Sequence, residues 1–181
     1  ALISTHLASF NTPILAGIAG VLVSPARGLL VYSPVFVFSV VGMMVAWREP
    51  GYLYLRYLSI APMILLVVVS KWTGWWGGDC YGPRLLADVN PILCFLLYPA
   101  FDYFKGRKTV RYVIIMLAVL SIAMHAIGAG RDRVVGEKTW TGQYEVGRHP
   151  ERLWSWRDSP QVYYGKQLLG AVRETRSSIG E

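Results

Sequence analysis

Charge is what this sequence has least of. Asp, Glu, Lys and Arg make up 16% of its 181 residues, where an average soluble domain carries roughly 25%. Hydrophobic residues make up 54%, and they come in long uncharged blocks. Such blocks argue against a large soluble core and for membrane spans. Cysteine is nearly absent: Cys80 and Cys94 cannot make a disulfide framework. Distance also argues against a bond between them, because Cys94 falls roughly 15 Å deeper along the following helix. There is no CxxC and no metal-ligand pair, so no metal or other cofactor is expected of this chain. The net charge of +7 could suit nucleic acid. Most basic residues, however, flank the apolar blocks or fall in the last third, as membrane topology demands, and no nucleic-acid partner is expected. Internal repeats and low-complexity tracts are missing too. The start, Ala1, has no basic region followed by a cleavage site. No signal peptide is therefore expected, and the sequence reads as a piece of a longer protein.

The apolar blocks predict an all-α, polytopic membrane protein. Four runs are long enough to span: 29–47, 52–70, 85–103 and 112–130. Pro34, Pro62 and Pro91 are compatible with them, since membrane helices admit proline. Before them, residues 13–23 form a shorter apolar stretch, with Thr12 as an N-cap and Pro13 at the first helical position. Its roughly 16 Å of helix is too short for a hydrocarbon core of ~30 Å. An interfacial or re-entrant helix is expected there, within an external segment 1–28. The polar, mixed-charge segment 131–181 closes the chain. In it, Ser159-Pro160 opens an amphipathic helix over about 160–175, with Val162, Leu169 and Val172 on one face.

Orientation follows from the connectors. "FKGRKTVR" carries Lys105, Arg107, Lys108 and Arg111 and no acid, and "REPGYLYLR" carries Arg48 and Arg56. The positive-inside rule puts both, 104–111 and 48–56, in the cytoplasm. Connector 71–84 and segment 131–181 then lie outside a plasma (inner) membrane. Arg27, Lys71, Arg84, Arg131 and Arg133 count against this; the dense "GRK" connector outweighs them.

That topology gathers the chemistry-bearing residues on the outer face. Arg27 is in "SPARG" and Tyr32 in "VYSP". Trp75, Trp76, Asp79, Tyr81 and Arg84 are in "KWTGWWGGDCYGPRLLADVNP", with Asp88 one turn beyond Arg84. His125 is near the outer end of the last run. Guanidinium groups beside interfacial aromatics suit the phosphate of a lipid-linked ligand. Each residue also has a plainer reading. The tryptophans fit an aromatic belt, Arg84 fits an ion pair with Asp88, and Arg27 fits a snorkelling charge. His125 fits a helix–helix hydrogen bond, and Asp79 a loop acid without a role.

"SPARGLLVYSP", "WWGGDCYGPRLLADVNP", "HAIGAG" and "RLWSWRDSP", in this order, resemble the carboxy-terminal half of bacterial GT-C-type integral-membrane glycosyltransferases. These are glycosyltransferase 39-like proteins related to the dolichyl-phosphate-mannose protein mannosyltransferases. The resemblance implies an enzyme taking a sugar from a polyprenyl-phosphate carrier at the outer face of the membrane. The group's acidic catalytic residue lies in an early external loop that this sequence does not contain. No catalytic residue is therefore assigned here, and any divalent metal would belong to the missing portion. What the resemblance leaves to this chain is the carrier side, with Arg27 and Arg84 as phosphate contacts. The missing amino-terminal helices, the bilayer and the sugar donor would be its partners. Two other readings compete: a transporter or flippase-like protein for a lipid-linked anion, and a non-catalytic membrane subunit. A transporter would carry paired ionisable residues at mid-membrane depth. A structural subunit would tolerate Gly/Ser replacement of its outer loops.

Overall fold

The computed structural model describes residues 9–78, 80–130, 139–140, 146 and 149–179, without the side chains of 171–179. Among the described residues there are helices and no strand. In chain order they are α1 (Ile14–Val23), α2 (Leu29–Tyr32), α3 (Val37–Arg48), α4 (Leu53–Leu58), α5 (Ile60–Lys71), α6 (Asn90–Tyr103), α7 (Lys108–Ala129) and α8 (Pro160–Ile179). Short 3₁₀ turns lead into several of them. Three stretches are long and apolar enough to cross a membrane: Pro50–Lys71, Arg84–Tyr103 and Lys108–Ala129. The expected all-α polytopic membrane architecture is therefore present.

The first expected span, 29–47, is not one helix. It breaks after α2 into a 3₁₀ turn, Pro34–Phe36, before α3 begins. The cause is local. Proline crowds the backbone of the residue before it out of the helical region, and Ser33 adopts φ −134°, ψ 68°. The remaining stretch, Pro34–Arg48, is shorter than the three long helices. The break also turns Ser33 toward α7, where its hydroxyl meets His125.

α1 is short, as expected, but it is not a free surface helix. It lies against α5, with Gly17, Gly20 and Val21 buried. Thr12 does not cap it; its hydroxyl donates to the Trp72 carbonyl at 3.0 Å instead, tying the start of α1 to the end of α5. Among the described residues, the most extensive helix–helix contact is α3 with α6. Ser39 donates to the Leu93 carbonyl at 2.7 Å, and a Cβ on Gly42 would collide with the Leu96 carbonyl oxygen. Small residues and hydroxyls at the contact are how helices associate in lipid, where apolar burial alone gives no preference.

The rest of the core gathers around these two pairs. Val21, Leu29, Phe36, Val69, Leu93, Leu96 and Ile114 form the main apolar cluster. The outward faces of α5 and α7 remain apolar, with Met63, Ile64, Val67, Met116, Val119 and Ile122 exposed. That pattern suits a lipid surround rather than water.

A second, smaller core closes one end of the bundle, here termed the connector end because residues 71–84 lie there. Ala26, Trp140, Val146, Leu153 and Tyr164 are buried in it, packed by Trp75, Trp76 and Tyr81. α8 begins at Pro160, as its sequence predicts, and runs to Ile179. The face it turns to the protein carries Gln161 and Tyr164. Leu169 is 64% exposed and Val162 is exposed, whereas Gln161 and Tyr164 are buried. The side chain of Val172 lies outside the described residues. Aromatic packing decides the face: Tyr164 meets Tyr81 with ring centroids 5.8 Å apart and receives the Trp140 backbone N–H at 2.9 Å. Meanwhile Gln161 donates to the Pro25 carbonyl at 2.8 Å.

Candidate functional site

The residues singled out in the sequence converge on the connector end. Arg27 follows α1 in the "SPARG" turn. Its side chain is only 2% exposed, so it is neither a rim charge nor a snorkelling one. Nη2 donates to the Gly78 carbonyl at 3.0 Å and Nη1 to its own neighbour, Ala26, at 3.3 Å. Gly78 holds φ +72°, a left-handed conformation open to glycine at little cost. The guanidinium lies 5.3 Å from the Trp140 ring centroid. Its Nε is buried without a partner, and no carboxylate among the described residues pairs with it. A buried cation left without an acid costs several kcal/mol after relaxation.

Arg84 starts the 3₁₀ turn that feeds α6 and is exposed. It forms no ion pair with Asp88, which is exposed as well. Arg84 borders two spaces. One is a small cleft of about 10 Å³ shared with Arg27, Trp75 and Trp76, no larger than a single water needs. The other is a polar pocket of about 490 Å³ lined by Cys80, Tyr81, Pro83, Arg84, Ala87, Asn90 and His125. The two expected phosphate contacts are thus close but unequal. Arg84 is exposed, while Arg27 is buried beside the smaller space.

A third space shares two lining residues with the second. An apolar groove of about 590 Å³ runs between α6, α7 and the Ser33 break, with Cys94, Leu97, Ala118, Ile122 and Ala129 along it. Asn90 and His125 border both the polar pocket and the groove. Ser33, which also lines the groove, meets His125 Nε2 at 2.9 Å. His125 therefore makes the helix–helix hydrogen bond its plainer reading supposes, and it stands at the mouth of the groove as well.

The other expected residues divide. Tyr81 lines the polar pocket; its hydroxyl donates to the Met124 carbonyl at 2.8 Å, and burial pushes its phenol pKa well above the usual range. Tyr32 is fully buried. Its hydroxyl donates to the Ala26 carbonyl at 3.0 Å and its ring stacks edge-on to Tyr81 at 5.0 Å, so it supports the site from behind. Trp75 packs edge-on to Trp76 at 6.1 Å and near Trp154 at 6.5 Å. That is more contact than a lipid-facing belt requires. Asp79 lies outside the described residues. Asp88 lines none of the three spaces.

Two sets of residues escaped the sequence reading. Asn90 is one; its signal was an uncharged polar residue six positions past Arg84, at the head of an apolar run. The other is a latch from the last third of the chain. Arg152 Nε donates to Asp158 Oδ2 at 2.6 Å, and its guanidinium lies 4.3 Å from the Trp140 ring centroid. The Trp140 indole N–H reaches Asp158 Oδ1 at 3.1 Å. The Arg152 hydrogen bond, the largest cause, holds the Asp158 carboxyl below its ordinary pKa. Ser24 donates to the Leu153 carbonyl at 2.6 Å, which joins this latch to the turn bearing Arg27.

Among the described residues no three His, Cys, Asp or Glu side chains come together to hold a metal. Comparisons with protein-family models, curated proteins and solved structures gave no match.

Proposed function

We propose that this chain is the carrier-binding membrane part of a glycosyltransferase that takes its sugar from a polyprenyl-phosphate donor at the outer face of the membrane. The observation carrying this reading is that a polar pocket containing Arg84 and an apolar groove beside α7 are bordered by the same two residues, Asn90 and His125. An anionic lipid fits that pair of spaces: its phosphate meets the unpaired guanidinium, and its chain lies along Cys94, Leu97, Ala118 and Ile122. Each space falls in the size range of small-ligand sites. Arg27, one void further in, adds positive potential behind the phosphate. Catalysis is not assigned to Asp79, Asp88 or His125.

The charge placement weighs against a transporter. Arg84, Asp88 and His125 lie toward the connector end, and Arg56 and Asp102 toward the other, so no ionisable pair forms at mid-depth among the described residues. The test uses the full-length protein in lipid nanodiscs. Polyprenyl phosphate should protect Cys94 from a lipophilic maleimide, and Arg84→Ala should weaken that protection about tenfold or more, the scale of one lost charge-assisted hydrogen bond. Transfer from a polyprenyl-phosphate sugar should fall with it. A well-folded Arg84→Ala protein with unchanged protection and transfer would sink the reading.

A further inference from the structure

Two of the three long apolar stretches, Arg84–Tyr103 and Lys108–Ala129, are joined only by residues 104–107. Backbone hydrogen bonds from Lys105 to Asp102 and from Arg107 to Phe104 order this turn. Lys105, Arg107, Lys108 and Arg111 are all exposed on or beside it, and residues 103–112 contain no acid. The neighbouring carboxylate, Asp102, is shared between the Tyr52 hydroxyl at 3.0 Å and Lys105 at 3.4 Å. Among the described residues, Arg107, Lys108 and Arg111 have no carboxylate partner. Their depth sets them apart from an ordinary solvated charge run. Arg111 lies one turn into α7, roughly 5 Å along the axis from Lys108 toward the apolar part of the helix. Its guanidinium is held 4.7 Å from the Phe101 ring centroid. Tyr103 ends α6 and Tyr112 follows Arg111, and both are exposed. Tyrosine settles at head-group level in a bilayer.

We propose that the α6–α7 turn is a docking surface for anionic phospholipid head groups in the leaflet it faces, with Arg107, Lys108 and Arg111 on the lipid phosphate. A zwitterionic lipid offers the same phosphate but brings its own ammonium group. Three cations without acids therefore favour a head group of net negative charge. The surface is at the end of the bundle opposite the connector, and it stands whether or not the carrier site does.

Native mass spectrometry of the full-length protein in detergent reads the preference. The probes are phosphatidylglycerol and phosphatidylcholine with identical acyl chains. Wild type should bind phosphatidylglycerol at about tenfold lower concentration or less, since each basic residue at an anionic lipid surface is worth about fivefold. Arg107→Gln, Lys108→Gln and Arg111→Gln combined should bring the two lipids level. Arg157→Gln, which removes an exposed cation from the connector end, should leave the preference intact. Equal binding of the two lipids by wild type, or a preference that survives the triple substitution, overturns the proposal. Competition by soluble glycerol 3-phosphate as effective as that by the lipid would assign the surface to a free anion, and overturns it as well. Should the triple variant not fold, Lys108→Gln alone should narrow the preference several-fold, and an unchanged preference there counts against the surface in the same way.

Discussion

At the connector end two arginines meet the same aromatic ring under opposite electrostatic conditions. Arg152 reaches Trp140 with Asp158 bonded to its guanidinium. Among the described residues, Arg27 reaches it with carbonyls as its only hydrogen-bond partners. The first arrangement is a fastener; the second buries a guanidinium against backbone carbonyls. The fastener has a pH signature. Asp158 has a lowered pKa in the folded state, so its contribution is fully present above the ordinary aspartate range. It starts to fall as the pH drops into that range and is gone below Asp158's own lower value. The size is modest because the carboxylate is 46% exposed. Protease protection of the 149–170 segment should therefore weaken on acidification of the wild type. The Asp158→Asn variant should show the weaker protection already at neutral pH and lose the acid-dependent step. An unchanged acid step in that variant would assign it elsewhere.

At the scale of elements, hydrophobic runs announced three long apolar stretches: 52–70 holds α4 and α5, divided at Ser59, 85–103 holds a 3₁₀ turn and α6, and 112–130 lies mostly within α7. The same rule failed at 29–47. Hydropathy counts apolar side chains, whereas the helix is broken by the backbone of Ser33 against Pro34. That break opens the groove on one side, so the local failure of the pattern coincides with the candidate site. α3 and α6 depend on a different small feature. The Leu96 carbonyl occupies the place of a side chain on Gly42, and a carbonyl in a helix cannot move aside as a flexible side chain can. Gly42→Val should cost about 1–3 kcal/mol or more, the range for overpacked cores. Thermal unfolding in detergent would read it, and Gly51→Val, where nothing lies within 4 Å, should leave the melting temperature near wild type.

For the molecule as a whole, the question is which end faces which side of the membrane. Basic residues crowd the end with Lys105, Arg107 and Lys108, which are exposed, and the positive-inside rule favours the cytoplasm for that end. An impermeant maleimide added outside intact cells should leave Gly106→Cys unmodified and should reach Cys80 in the connector. Labelling at position 106 from outside would invert the topology and move the candidate site to the cytoplasmic face.

The sequence by itself determined the membrane character, the helical class, the approximate spans and the clustering of arginine, tyrosine and tryptophan at one end. Those follow from composition and periodicity, which act along the chain. Tertiary structure alone decided that Arg84 is free of Asp88, that Arg27 is buried with no paired acid among the described residues, and that Asn90 and His125 border both a polar pocket and an apolar groove. Pairing, burial and cavities are set by what other segments bring to the same place. Here those segments come from α1, the connector and the last third of the chain, separated by more than a hundred residues in contacts such as Ser24 with Leu153, and no local pattern encodes their meeting.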